Sequence, residues 1–377
     1  MHICDITMFY TAHGGGVRRY LRAKRRWYCD QGDRHTLLSP AWRSVRHGDH
    51  LTLRAPPLPF GQGYRFPMRR KAWINAMMEV RPDIIEAGDP YFLAGAALTA
   101  ARRLGIPVTA FVHSDLPRLV ERRLGGWAGM RARSYLHKLY SGFDAVQAPS
   151  QGLADRLREM GLSNVIWQPL GVDASRFSPE FRDPAVRQQL GLNSGTHLLI
   201  FAGRYAREKN IDVLLEAMRL LGPAYHLLLI GPGMPSIRMD NVSVYHRFCD
   251  GRHLAGQLAS ADALIHAGDQ ETFGLIVLEA MASGLPVVGV RGGALPELIP
   301  PECGVLATPR DSASLAEAVR TLFQKDWQGM GHAGRALVEN KFRWEAVFAH
   351  QRRLYQALID GWRPNRDAEP PMPGPKS

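Results

Sequence analysis

"ADALIHAGDQETFGLIVLEAMASGLPVVGV", residues 261–290, holds a strand, a loop, a helix and a second strand in one short run. Ala261 to Ala267 reads as a short buried strand and Val287 to Val290 as the next. Gly284 stands where a helix C-cap glycine belongs, and Pro286 follows where no helix continues, so the helix between them is expected from Gly274 to Ser283. Thr272 is its expected N-cap, which leaves the N–H groups of Phe273, Gly274 and Leu275 unpaired at the positive end of the helix. Such an end suits phosphate. Ligands of open parallel sheets bind beyond the carboxyl ends of the strands, which is where Glu271 falls. Glu279 lies in an otherwise apolar run (Leu275, Ile276, Val277, Leu278, Ala280, Met281), where an ionised side chain needs a partner. The competing reading makes both carboxylates part of a solvated face.

The same alternation extends along the chain. Strands are expected at His2 to Thr7, Thr36 to Ser39, Asp83 to Glu86, Val108 to His113, Ala145 to Ala148 and Val165 to Gln168, with helices over 17–30, 69–80, 93–104, 117–139 and 150–160. Strands alternating with helices imply an α/β fold with a parallel sheet wound on both faces. After the Pro/Gly-bearing loop Pro169 to Glu180 a second series begins: strands Leu198 to Arg204, His226 to Gly231 and Val242 to His246, helices 210–221 and 251–259, then the opening unit. The expected domains are 1–172 and 173–343. A C-terminal helix over 344–362 can pack back on the first domain, and a disordered tail over 363–377 follows.

The chain of 377 residues suffices for two such domains. Its cysteines (Cys4, Cys29, Cys249, Cys303) form no close pair, which fits a reducing compartment and argues against a zinc site or a disulfide framework. No signal peptide is legible, and no apolar run approaches the roughly 20 residues of a membrane span. The formal charge is +12, and residues 1–180 hold 26 Lys and Arg against 15 acids while residues 181–377 hold 21 against 20. The excess lies in the first half, in clusters at Arg18, Arg19, Arg22, Lys24, Arg25 and Arg26, at Arg69, Arg70 and Lys71, and at Arg118, Arg122, Arg123, Arg131 and Arg133. Such clusters attract an anionic surface, lipid headgroups or nucleic acid, unless they are simply solvated.

Three further stretches carry chemistry. "HGGGVRRY" (13–20) follows the first strand and opens a helix; Gly14, Gly15 and Gly16 permit close approach of a ligand, or simply make a turn. "FAGRYAREKN" (201–210) sets Arg204 at a strand end and Lys209 in the loop beyond, two cations able to clamp a diphosphate. Gly231 to Gly233 adds a flexible loop at the same edge. "FVHSDLP" (111–117) sets His113 and Asp115 at a strand end in the first half, with Ser114 and Asp115 as alternative helix caps. There is no nucleophile elbow, Walker loop or Asp-any-Asp metal pair.

Together these stretches resemble the family 4 glycosyltransferases, enzymes of the GT-B fold. The centre of the resemblance is "ETFGLIVLEAMASGLPVV", with the family's Glu, seven residues, Glu pattern. "GRYAREKN" is similar to its Gly-Arg-Leu-x-x-x-Lys-Gly segment, with Tyr205 for leucine and Asn210 for glycine. "GGGV" with Tyr20 is similar to its N-terminal glycine loop. "HSDLP" resembles the His-Thr-Asp segment of its lipid mannosyltransferases and sulfoquinovosyltransferases, with Ser114 for threonine.

The resemblance implies two Rossmann-like doubly wound domains facing across a cleft. It implies a retaining, metal-independent transfer of a hexose, mannose favoured, from a nucleotide-sugar donor (GDP-mannose or a UDP-sugar) to a lipid or glycan acceptor. Glu271 would contact the donor sugar, Glu279 the ribose, and the N–H groups of Phe273, Gly274 and Leu275 the diphosphate together with Arg204 and Lys209. His113 would lie beside the transferred sugar, and Gly15, Gly16 and Gly231 would belong to the donor site. Cations and N–H dipoles would replace a metal, so no cofactor is expected. The acceptor half carries the positive charge, which fits a cytoplasmic protein bound peripherally to the inner face of an anionic membrane. The competing readings are an enzyme like the UDP-N-acetylglucosamine 2-epimerases, which share the fold, and a nucleic-acid-binding protein; for the latter no reader motif is present and no nucleic acid is expected as a partner.

Overall fold

A computed structural model describes residues 1–11, 15–58, 64–246 and 251–362. The tail 363–377, His13 and Gly14 of the glycine loop, and Cys249 lie outside the described residues. The strands are β1 (His2–Ile6), β2 (Arg34–Ala41), β3 (Val45–His47), β4 (His50–Arg54), β5 (Ile84–Ala87), β6 (Val108–Phe111), β7 (Ala145–Ala148), β8 (Val165–Trp167), β9 (His197–Ala202), β10 (Tyr225–Ile230), β11 (Val242–Tyr245), β12 (Ala263–Ile265), β13 (Val287–Val290) and β14 (Gly304–Ala307). They form two sheets, in the orders β3-β4-β2-β1-β5-β6-β7-β8 and β11-β10-β9-β12-β13-β14. Every pairing is parallel except β3 with β4. In each sheet the strand order reverses once, between β1 and β5 and between β9 and β12. The crevice at such a reversal is where doubly wound sheets hold ligands.

Alternating residues of the first sheet feed two cores, as the strand period of two requires. Ile3, Leu37, Ile84 and Phe111 pack with Tyr20, Leu21 and Tyr28 of the helix Gly16–Asp30 and with Phe348 and Tyr355 of the last helix, Trp344–Gly361. Cys4, Leu38, Ile85, Ala110 and Val146 face the helices Arg70–Val80, Phe92–Leu104 and Gln151–Glu159 on the other side. The two passages between the sheets lie side by side: Val172 N donates to Phe342 O at 2.7 Å, and Trp344 N donates to Val172 O at 3.4 Å. We keep 1–172 and 173–343 as the proposed domain limits.

Three expectations need correction. The helix expected over 117–139 is two helices, Leu116–Leu124 and Gly126–Tyr140, because Gly125 takes a φ of 86° that ends the first. Thr272 does not cap its helix. The helix is Leu275–Ala282, Gly274 is its N-cap in the left-handed region at φ 93°, and the Thr272 hydroxyl donates to His113 O at 3.1 Å across the cleft.

Lys24, read above as part of a surface cluster, is fully buried. Its Nζ donates to Asp5 at 2.8 Å, Glu86 at 2.8 Å and the Tyr355 hydroxyl at 2.9 Å. Burial pushes the Asp5 carboxyl up, but Lys24 and His35 outweigh it and hold it below its ordinary value. Tyr20 donates to Glu86 at 3.0 Å, and Gln351 joins Tyr20 to Gln147 through contacts of 2.8 Å each. This buried network bolts the last helix to β1, β5 and β7. Lys24→Met leaves Asp5 and Glu86 buried without their cation, and a loss of about 3–5 kcal/mol is expected in urea unfolding. A loss under about 1 kcal/mol would mean the network is not intact in solution.

Candidate active site

The second sheet's reversal point brings together Arg204, Lys209, His266 and Glu271. β9 ends at Ala202, and the chain passes through Arg204 into a short turn of helix, Arg207–Lys209, closed by Asn210 at φ 49°. Asparagine tolerates this left-handed position, where the family segment has glycine. Its amide also donates to Ala267 O at 2.9 Å, tying the Lys209 turn to the loop after β12. That loop carries His266 and Glu271.

Lys209 Nζ pairs with Glu271 Oε1, and His266 Nε2 lies 3.3 Å from the same oxygen. Gly268 N donates to His266 Nδ1 at 3.1 Å, which places the ring proton on Nε2, facing the carboxylate. Burial would push the Glu271 carboxyl up, but Lys209 and His266 outweigh it and hold it well below the usual carboxylate range. The backbone of Glu271 is clamped from behind: a Cβ on Gly293 would stand 2.4 Å from Glu271 O, and Ala294 N donates to that oxygen at 2.8 Å. Both side-chain contacts fall on Oε1, so Oε2 is the atom available to a ligand.

Arg204 sits at the same edge, half exposed, with Nη2 3.1 Å from Glu208. Gly231 acts through the backbone. A Cβ there would stand 1.8 Å from Gly203 O, so glycine is required for the loop after β10 to seat the Arg204 loop. Phe273 is buried against Phe342, and it is the N–H groups of Phe273, Gly274 and Leu275 that stand at the helix start.

The first domain approaches this cluster closely. Gly15 is the N-cap of the helix Gly16–Asp30, and a Cβ on Gly16 would lie 3.1 Å from the Leu275 side chain. His113 follows β6, stacked on Phe111 at 4.6 Å and edge-on to Tyr20 at 5.4 Å, with its Nε2 buried and without a hydrogen-bond partner. Burial, reinforced by the charge of Lys24, pushes its imidazole from 6.5 down to about 3. The folded value lies below the unfolded one, so the fold stabilises the neutral ring. That contribution is complete above pH 6.5 and is lost as pH falls from there toward about 3. His113→Gln is expected to lose less thermal stability than the wild type over this window; superimposable acid profiles would contradict the assignment.

Glu279 is 3% exposed, and its Oε1 pairs with Arg19 from the first-domain helix while its Oε2 is buried without a partner. Arg19 therefore acts inside the cleft and not in the surface cluster where its sequence neighbours placed it. Orphaned buried polar atoms are rare, and His113 Nε2, Glu279 Oε2 and Gln270 Oε1 all border this cleft. Further bonds cross it. Arg122 Nη1 lies 3.3 Å from Asp269, and Glu297 accepts from the N–H groups of Gln151 and Gly152 at 2.7 and 2.6 Å.

Sequence reading missed His266, Arg19, Thr272 in its bridging role, and the Gly293–Ala294 clamp. For His266 a signal existed: an imidazole at the carboxyl end of a buried strand. Arg19 and Glu279 stand 260 positions apart, and neither local sequence announces the pairing.

Residues 14–176 match the family model described as Glycosyltransferase Family 4, and residues 196–325 match the one described as Glycosyl transferases group 1. The chain is 29% identical over 365 residues to the GDP-mannose-dependent alpha-(1-6)-phosphatidylinositol dimannoside mannosyltransferase of Mycobacterium tuberculosis, covering 93% of this chain and 94% of that one. It is 30% identical over 307 residues to the sulfoquinovosyl transferase SQD2 of Arabidopsis thaliana, covering 77% of this chain and 60% of that protein. Among solved structures, sucrose-phosphate synthase from Thermosynechococcus elongatus superposes with a TM-score of 0.75 at 20% identity, over 96% of this chain and 100% of that one. With a glycosyltransferase family model matching each half and the whole chain superposing on a solved glycosyl-transferring enzyme, the chain belongs to the family 4 glycosyltransferases and has the GT-B fold.

Proposed function

We propose that the protein transfers a hexose, mannose in the favoured case, from a nucleotide-sugar donor to a lipid or glycan acceptor, with retention of anomeric configuration and without a metal. The observation that carries this reading is the convergence of Lys209, His266 and Glu271 with Arg204 and the helix start at Gly274 on one sheet edge, facing His113. Lys209, Arg204 and the N–H groups at the helix start would hold the diphosphate, Glu271 Oε2 a sugar hydroxyl, and Glu279 Oε2 the ribose. The bond from the anomeric carbon to the β-phosphate oxygen breaks as the acceptor oxygen bonds to that carbon on the same face. The leaving phosphate oxygen takes the acceptor proton. Preorganised cations and N–H dipoles stabilise the charge that develops there.

GDP-mannose is favoured because the "HSDLP" segment resembles the mannosyl and sulfoquinovosyl branch, and because a mycobacterial relative is named for that donor. Among the described residues no helix is long and apolar enough to cross a membrane. We place the protein in the cytoplasm, peripheral on the inner face of the cell membrane. The support is the first domain's charge and the exposed Leu124, Trp127 and Met130, which stand among Arg123, Arg131 and Arg133. A panel of GDP- and UDP-sugars, scored by thermal stabilisation with chelator present, tests the donor assignment. Stabilisation by GDP-mannose is expected, and stabilisation by UDP-sugars alone would overturn the choice of base.

A further inference from the structure

The carboxyl edge of the first sheet continues onto β2 and β4, and these strands run past their neighbours. β1 ends at Ile6 opposite Leu38, whereas β2 continues to Ala41, opposite Arg54 at the end of β4. Three more residues raise this corner about 10 Å above the cleft floor. An open cavity of about 770 Å³ lies there, lined by Trp42, Arg43, Ser44 and Arg54. Trp42 is 68% exposed, and the guanidinium of Arg65 lies over its ring, 3.9 Å from the centroid. Arg65 is itself held by Ala55 O at 2.8 Å, so the indole is fixed as a plate with most of its surface open.

Among the described residues, neither the Arg43 nor the Arg54 guanidinium has a hydrogen bond or an ion pair. From Trp42 to Lys71 the chain holds seven Lys and Arg against one acid, Asp49, and Asp49 is engaged by Arg34 at 3.0 Å. Two uncompensated forks beside an exposed indole match a planar or tetrahedral oxyanion joined to a flat ring or an apolar chain.

We propose that this corner binds a phosphate ester of the acceptor, with Arg43 and Arg54 gripping the phosphate and Trp42 stacking on the portion next to it. The proposal rests on the transferase reading above. β4 lies four strand spacings from β6, so the phosphate would sit roughly 20 Å from the hydroxyl beside His113. The acceptor is then an extended glycan or glycolipid whose phosphate is remote from the site of transfer.

The test titrates the full chain with glycerol phosphate in calorimetry and with phosphatidylcholine vesicles containing phosphatidylinositol in co-sedimentation. Binding of either probe is expected, weakened on the order of tenfold in R43Q/R54Q and in W42A, and unchanged in R219Q on the other domain. Binding of glycerol phosphate points to a soluble phosphorylated acceptor, and binding of vesicles alone points to a lipid-borne phosphate. If neither probe binds, or if R43Q/R54Q and W42A bind both as the wild type does, the proposal is overturned. Stabilisation of the same wild-type sample by nucleotide sugars separates the two claims: if it is retained, only the corner fails, and if it is absent, the transferase reading fails with it.

Discussion

Replacing Lys209 with methionine is expected to lower turnover by about 10²–10³-fold, the cost of removing one preorganised donor from a developing anion. The reason lies in what Lys209 touches. It pairs with Glu271 beside His266, so its removal takes a cation from the proposed diphosphate site and leaves a half-buried carboxylate without that cation at once. Without Lys209, burial pushes the Glu271 carboxyl up with only His266 opposing it. The folded carboxyl of the wild type lies below its unfolded value, so its contribution to stability is present above the ordinary 4.5 and is lost as pH falls below it. In Lys209→Met that window moves upward, and the acid limb of the rate profile should move with it. Measuring nucleoside diphosphate release against pH checks both effects. A loss of turnover with an unmoved acid limb would mean that Lys209 does not set the state of Glu271.

Glu279→Ala is expected to weaken donor binding by about 10- to 100-fold, the range for a buried hydrogen bond to a charged group. Arg19 supplies the control. It occupies Glu279 Oε1 from the other domain while Oε2 stays unpartnered, so under the proposed role a ribose hydroxyl would have one oxygen waiting and would compete with Arg19 for the other. Arg19→Ala should therefore leave donor affinity unchanged or raise it, while Glu279→Ala lowers it. Equal losses in both variants would assign Glu279 to holding the two domains together and not to the donor. Equilibrium titration with GDP-mannose and with GDP distinguishes these outcomes.

Much of this site was legible in the sequence, and the residues show why. The strand VVGV was placed on Val287–Val290, and the first sheet's central strands within a residue or two, because buried parallel strands are continuous apolar runs between turn signals. β3 and β4 escaped notice. β3 is the edge strand and β4 the one beside it, in the sequence VRHGDHLTLR, with polar residues where a central strand would be apolar. The helices Ser312–Phe323 and Trp327–Lys341 were not assigned although Asp311 and Asp326 cap them, a local signal that could have been read. Glu271, Arg204 and Lys209, which lie at one sheet edge, could be grouped as candidates because strand ends and a helix start mark them locally.

What the sequence withheld is long-range pairing. Lys24 sits in a run of arginines and reads as solvated, yet its partners are Asp5 and Glu86, with Tyr355 donated by a helix 331 positions away. Arg19 has the same neighbours and a partner in the other domain. A basic helix thus carries three kinds of cation: surface residues, a latch inside the cleft and a buried bolt. Only the fold separates them.

Metal-independent transfer from a nucleotide sugar is tested by the release of GDP from GDP-mannose by the purified chain in the presence of a chelator, comparing the wild type with Lys209→Met. Slow release by the wild type is expected without added acceptor, with a loss of about 10²–10³-fold in the variant. Equal release by both proteins, or release that appears only when a divalent metal is restored, would contradict it.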